Sequence, residues 1–337
     1  MRTKSNNICD LKIMLERLSK YLNCDISSFH IEVHKTGVWG NTLYKIKTYE
    51  KKFLYKQFNA FDDVSITYNP PKVSPEKRLE TSIYIQNLAF SNIGMGNVII
   101  PQIYVASDVS YIMEYIDSSY TLKELLDSGN TISKLKDFGK SIAKFHSKCV
   151  DSIGVNMMLK YKMNLQYKPP KNIKLNDEEL YIYRILKSEC FSSKFPSVLI
   201  HGDLNAKNIL VTKNSEIVLI DFEHAGLGKR VYDIAYMIAD IVISLSLYPY
   251  RKEYIYIITT FLLDYINESK LDIKELSFLW GHVGVQILYR LTGPSAIFWT
   301  QYFSKIQLEK LEFIGKKLLT THFSINEIYS TLNFVIL

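Results

Sequence analysis

His201-Gly202-Asp203-Leu204-Asn205-Ala206-Lys207-Asn208-Ile209-Leu210, followed by Leu219-Ile220-Asp221-Phe222-Glu223, decides how this 337-residue chain is read. It sets two carboxylates and a carboxamide at spacings that suit metal-assisted phosphoryl transfer. Asp203 and Asn208 stand five residues apart on a tight loop, and Asp221 follows after a hairpin over residues 209–220 that turns at Lys213-Asn214-Ser215-Glu216. An aspartate can accept the proton of an attacking hydroxyl, while an Asn oxygen and a second Asp can hold Mg²⁺ against nucleotide phosphates. The apolar run 217–220 leads straight into Asp221, and the hairpin brings Asn208 and Asp221 together.

Upstream of this stretch the pattern changes from helix to strand. Residues 8–22 place Ile8, Leu11, Leu15, Leu18 and Leu22 on one helical face. Strand-like runs follow at 29–35, 42–49 and 52–58, with Gly37 and Gly40 between the first two and a hairpin turn at Glu50-Lys51. Residues 62–74, with Pro70-Pro71, read as a loop. Ser74 then Pro75 gives an N-cap and a first-turn proline for a helix that runs to about residue 90. Two further strands are expected near 102–107 and 111–115. From Tyr120 the chain becomes largely helical: 131–149 is a strong helix by the recurrence of Ile132, Leu135, Phe138, Ile142 and Phe145, and 177–189 is a second. Residues 151–196 as a whole resist assignment. Beyond Tyr232 several helices are expected with little strand. The expectation is an α+β chain of two lobes, a β-rich one over 1–116 and a mainly helical one over 117–337, with a ligand cleft at their boundary.

Composition excludes several classes. Apolar content of 47% and charged content of 22% are those of a globular chain, and no low-complexity block or internal repeat stands out. The net charge is +7, but the lysines are spread out beside acids, as in Glu50-Lys51-Lys52, with no basic tract interleaved with aromatics, so nucleic acid is not expected as a partner. The apolar runs 234–248 and 254–266 are short and carry Asp240 and Asp264, so they read as buried helices rather than membrane spans. The N-terminus leads into an amphipathic segment rather than an apolar signal core. Cys9, Cys24, Cys149 and Cys190 show no Cys-x-x-Cys spacing, which fits buried thiols in a reducing, cytoplasmic setting. Oligomeric state is not legible.

The His-Gly-Asp-x-x-x-x-Asn element with its downstream Asp-Phe-Glu resembles the aminoglycoside phosphotransferase and choline kinase family, relatives of the protein kinases, over about residues 33–237. The resemblance implies a bilobal protein-kinase-like fold, with Asp203 as catalytic base and Asn208 and Asp221 as metal ligands. It implies that His201 braces the loop and that Asp233 ties it to the next helix, and it gives His146 a structural place. Glu223 stays open between a water-mediated metal contact and a salt bridge. Thr36-Gly37-Val38-Trp39-Gly40-Asn41 stands where a phosphate-covering loop belongs, its glycines permitting close backbone approach. Lys56 resembles the strand lysine that meets the α- and β-phosphates, with Glu80 as its helix partner and Glu76 as the competing choice. Ile112-Met113-Glu114-Tyr115-Ile116 resembles the hinge, where the Glu114 carbonyl and the Ile116 amide would read the base, so ATP and GTP both stay open.

Only eleven residues separate Asp221 from Asp233, with no Ala-Pro-Glu, and Asn205 stands where a protein kinase carries a lysine two residues after the base. A hydroxyl of a small molecule, metabolite or antibiotic, therefore fits better than a peptide, with an atypical protein kinase or a nucleotide-binding pseudoenzyme as the alternatives. Acids are few beyond Asp233, which disfavours an aminoglycoside. Tyr289, Phe298, Trp299, Tyr302 and Phe303 could build a cage for choline, and Arg290 could hold an anion or pair with Asp240.

Overall fold

A computed structural model of the chain describes residues 2–34, 41–60, 73–91, 98–117, 119–128, 135, 137–147, 156–248, 250, 253–294, 296 and 300–336. The first lobe is a five-stranded antiparallel sheet in the order β1-β2-β3-β6-β5, built from His30–Val33, Thr42–Lys47, Lys52–Gln57, Ser110–Glu114 and Ile103–Ala106. Side chains alternate across β3. Phe53 and Tyr55 join Met14, Leu15 and Leu18 of helix α1 (Arg2–Leu22) on one face. On the other face Leu54 packs in the cluster of Phe58, Leu79 and Tyr111, which brings in helix α2 (Pro75–Ser91). Lys56 is therefore carried on the α2 side. The β2–β3 hairpin closes with Thr48 N–H donating to the Lys51 carbonyl at 2.8 Å, at the expected turn.

A second sheet is built around the hairpin that follows the Asp203 loop. Its order is β4-β10-β9-β7, from Val98–Ile99, Ile217–Leu219, Ile209–Thr212 and Ser119–Thr121. The β9–β10 register sets Leu219 opposite Ile209, with Ser215 in the left-handed region at φ +64° in the turn. The short strands β4 and β7 are too brief for periodicity to reveal. β4 precedes the first lobe's last two strands in sequence yet pairs in parallel with β10. A two-stranded ladder joins β8 (Val198–Ile200) to β11 (Gly226–Gly228).

Helices α3 (Leu122–Asp127) and α4 (Phe138–His146) follow β7. The continuous helix expected over 131–149 is corrected: Asp137 takes φ +58° immediately before Phe138, which separates Leu135 from the helix. Ile132 and Cys149 lie outside the described residues. The unassigned region holds α5 (Met157–Gln166) and α6 (Asp177–Phe191). Helix α7 (Arg230–Leu247) is the axis of the second lobe, buried at every residue from Val231 to Ser246, with α8 (Glu253–Ser269), α9 (Leu279–Thr292), α4 and the helix Lys305–Leu319 around it. The expected buried helices are thus found, and among the described residues no helix is long and apolar enough to cross a membrane. Gly284 lets α9 meet the helix Lys305–Leu319 closely, since a Cβ there would lie 2.5 Å from the Gly315 carbonyl oxygen. The expectation of buried thiols is corrected for Cys9, which is exposed, and Cys24, which is half-buried. Cys190 is buried and its thiol is pushed up to about 12 by burial.

Candidate active site

The loop that carries Asp203 is held from below by two buried carboxylates of α7. Asp233 accepts the backbone N–H of His201 at 2.6 Å and of Gly202 at 2.9 Å, and meets His146 Nε2 at 3.2 Å. Asp240 accepts the N–H of Ala206 at 2.7 Å and, on its other oxygen, Arg290 Nε at 2.7 Å. Asp233 and Asp240, about two turns apart on one helix, thus fix both ends of the loop. Gly202 sits at φ +72°, where a Cβ would come 2.2 Å from the His224 carbonyl oxygen, so only glycine fits this corner. His201 is fully buried, and burial depresses its pKa, which keeps it neutral. Its Nε2 donates to the Ile220 carbonyl at 3.0 Å and its Nδ1 accepts the Asp203 N–H at 3.3 Å. Both ring nitrogens are used in bracing the loop.

The two carboxylate oxygens of Asp203 have different surroundings. Oδ1 accepts Asn205 Nδ2 at 2.7 Å and pairs with Lys162 Nζ, while Oδ2 faces His224 Nδ1 at 3.9 Å. Burial works to raise its pKa, but Lys162 and His224 outweigh it and hold the carboxyl well below the usual range. Asn208 Nδ2 donates to the Asp203 carbonyl at 2.9 Å, which leaves its carboxamide oxygen as the end for a cation. The Ile220 N–H donates to the Asn208 carbonyl at 3.1 Å and so brings Asp221 beside it. Asp221 itself is left-handed at φ +71°, a costly backbone for a non-glycine residue and one found where function fixes a side chain.

Lys56 reaches this centre from the other lobe, its Nζ 2.6 Å from Asp221 Oδ1. Burial opposes its charge, yet Asp221 outweighs burial and the pKa ends above the ordinary lysine value. Glu80 is a correction. It is two-thirds exposed and pairs with Lys77 at 2.8 Å, because the phase of α2 turns Arg78 and Leu79 inward and Glu80 outward. Glu76 is exposed as well. The buried ion pair between α2 and the centre is Arg78 with Glu223 at 2.8 Å, and Arg78 also donates to Asn41 Oδ1 and to the Asn59 carbonyl, each at 2.9 Å. Glu223 thus takes the salt-bridge alternative. Glu114 ends β6, its N–H donating to the Gln102 carbonyl at 2.8 Å, and Ile116 follows at the crossing between the lobes. Gly37 and Gly40 lie outside the described residues.

The oxygen donors of Asn208 and Asp221 are hard ligands of the kind Mg²⁺ takes, one carboxylate and one neutral oxygen, with nucleotide phosphates expected to complete the shell. Among the described residues no group of three or more His, Cys, Asp or Glu could hold a metal by itself. Of the aromatics considered for a cage, Tyr289 lies within electrostatic reach of Asp203, Tyr302 is 83% exposed, Phe303 packs on the main core, and Phe298 and Trp299 lie outside the described residues.

Sequence reasoning missed Lys162, Arg78 and His224. Lys162 depends on α5, whose signal is Asn156 before Met157-Met158-Leu159. Asn156 Oδ1 accepts the N–H groups of Met158 at 2.9 Å and Leu159 at 3.3 Å, and its Nδ2 donates to the carbonyls of Glu223 at 3.1 Å and Ala225 at 2.8 Å. One residue therefore caps the helix and clamps it to the Asp-Phe-Glu element.

Residues 164–254, which include the loop, the hairpin and Asp233, match the sequence model of a family described as "Phosphotransferase enzyme family". The chain is similar to the aminoglycoside phosphotransferase and choline kinase group. This match bears out the expectation of a phosphotransferase. Among solved structures the chain resembles a choline kinase from Cryptosporidium parvum Iowa II, at 15% identity over 96% of this chain and 93% of that one, with a TM-score of 0.52. It also resembles a microcompartment-associated aminopropanol kinase, at 14% identity over 96% and 98%, with a TM-score of 0.55. A third is an amicoumacin kinase in complex with AMP-PNP, Ca²⁺ and Ami, at 14% identity over 90% and 89%, with a TM-score of 0.51. At these identities the likeness establishes the fold, and it is the bilobal protein-kinase-like one expected from the sequence. No curated protein matches the chain by sequence.

Proposed function

We propose that the chain is a Mg²⁺-dependent kinase that transfers the γ-phosphoryl group of ATP or GTP to a hydroxyl of a small molecule. The observation that carries this reading is the convergence of Lys56 from β3 with Asp221, Asn208 and Asp203 from the second lobe, at the boundary of residues 1–116 and 117–337. The amicoumacin kinase is in complex with AMP-PNP and Ca²⁺, which supports a nucleotide and a divalent cation as ligands here. Asn208 and Asp221 would hold Mg²⁺, whose chemistry is to screen phosphate charge and orient the nucleotide. Lys56 would meet the phosphates, the segment with Gly37 and Gly40 would cover them, and the Glu114 carbonyl and Ile116 amide would read the base.

Asp203 would serve as the catalytic base. Oδ1 is anchored by Asn205 and Lys162, which would leave Oδ2 for the acceptor hydroxyl. Its depressed pKa keeps it ionised, and because bond formation lags in a loose phosphoryl-transfer transition state, aligning the hydroxyl matters more than basicity. The segment between Asp221 and Asp233 forms one 3₁₀ turn, Phe222–His224, and the short strand β11 before α7 begins, so no platform for a peptide is built there. The free thiols fit a reducing, cytoplasmic compartment. A metabolite screen for Mg²⁺-dependent nucleotide consumption, with product mass giving the phosphorylated alcohol, tests the proposal. Phosphate transfer to protein substrates alone would sink it.

A further inference from the structure

Resting on the phosphotransferase reading, we propose that the acceptor is an uncharged, hydroxyl-rich alcohol of the sugar or polyol class, and that Lys162 sets this selectivity. The basis is the charge balance of the space around Asp203. Each carboxylate there already has a protein cation: Asp203 has Lys162, Asp221 has Lys56, Glu223 has Arg78 and Asp240 has Arg290. Asp233 is spent on the backbone N–H groups of the loop. Among the described residues these pairs leave no acid over to receive an ammonium group.

The aromatic surface is taken in the same way. A cationic acceptor binds best on the open face of a ring. The ring of Tyr236, beside the base, has Arg290 Cζ 4.4 Å and Lys162 Nζ 4.7 Å from its centroid and is stacked on Tyr232 at 5.9 Å. The protein's own cations occupy the positions an ammonium would use. An ammonium near the reacting hydroxyl would have to displace Lys162, whose side chain is only 13% exposed, from Asp203 to find a carboxylate. An anionic acceptor is disfavoured by the converse balance, because Lys162 and Arg290 are both neutralised by their partners. What stands near Asp203 without a formal charge is the Tyr289 hydroxyl, a group that both donates to and accepts from hydroxyls.

Lys162 is well suited to this role. Helix α5 delivers it, clamped through Asn156 to the Glu223 and Ala225 carbonyls just after Asp221. It supplies beside the base the positive charge that the loop lacks, since Asn205 stands two residues after Asp203.

The test uses two sets of alcohols matched in size and differing in charge: glucose, glucosamine and gluconate, and glycerol, 3-amino-1,2-propanediol and glycerate. Mg²⁺-dependent ADP release and product mass are measured alongside the acceptor found in the metabolite screen. The wild-type protein is expected to favour the uncharged member by about tenfold or more in kcat/KM, the factor of one 1.4 kcal/mol charge contact. Lys162→Glu should shift that preference toward the amine by at least as much, and Lys162→Arg should keep the wild-type order. An amine or acid preferred by the wild type, a screened product carrying either group, or an unchanged order in Lys162→Glu would overturn the inference. Those outcomes leave the kinase reading standing as long as Asp203→Asn abolishes turnover, whereas turnover indifferent to Asp203→Asn removes that reading instead.

Discussion

The Asp203 loop with its hairpin and helix α2 meet at the same centre from opposite lobes, yet different physics sets their side chains. Over residues 201–221 the geometry is local. A ladder of three residue pairs joins Asn208 to Asp221, and backbone N–H groups bonded to Asp233 and Asp240 fix the loop. In α2, which side chain reaches the centre depends on the rotational phase of a helix packed against another lobe. Spacing therefore predicts the first region well and the second poorly. Glu80 is out by about half a turn, and the buried pair runs in the opposite sense, with the cation, Arg78, on the helix and the acid, Glu223, after the hairpin.

The largest effect is expected where the local region loses its anchor. Asp233→Ala would leave buried N–H groups of His201 and Gly202 unpaired, and should lower unfolding stability by about 3–5 kcal/mol in urea titration, the range for breaking a buried charged network. Arg78→Met should cost about 3 kcal/mol by leaving Glu223 buried without its cation, and the double change Arg78→Met with Glu223→Leu should recover much of that loss. Recovery would show that the two lobes are coupled by this pair rather than by the acid expected on α2. Lys56→Met removes a charge from the centre and should lower kcat/KM for the nucleotide roughly 100-fold with little change in stability.

The same contrast explains what the sequence made legible. Alternation in β2 and β3, the Ser74-Pro75 start of α2 and the hairpin at 209–220 are all signals carried within a few residues, and each was found within a residue or two. The strands Val98–Ile99 and Ser119–Thr121 were not legible because two or three residues hold no period and their partners lie roughly a hundred residues away. Lys162 was invisible for a related reason. Its meaning comes from the clamp that Asn156 makes to Glu223 and Ala225, and nothing in the spacing of 156 to 223 announces it.

Smaller effects sharpen the comparison further. His224 is buried in the local region and its pKa is depressed to about 3, burial being the main cause and Lys162 the next, so its contribution to stability is complete above the unfolded value of 6.5 and is lost as pH falls toward about 3. His224→Gln should flatten that slope by up to roughly tenfold in the folding constant per pH unit between those values, measured by denaturant titration across pH. The smallest change is expected at Glu80. Glu80→Gln should alter stability by less than about 0.5 kcal/mol and leave nucleotide KM unchanged, since the residue makes a single exposed i,i+3 pair with Lys77.

The central claim is that Asp203 acts on the acceptor while Lys56, Asn208 and Asp221 serve the nucleotide. Nucleotide affinity and single-turnover ADP formation, measured side by side for the wild-type protein and Asp203→Asn with Mg²⁺ and the acceptor from the metabolite screen, test it most directly. The expected result is nucleotide affinity within about twofold and a rate lowered by roughly 100-fold or more, the lower bound for losing a positioned base. A rate equal to that of the wild type would contradict the account.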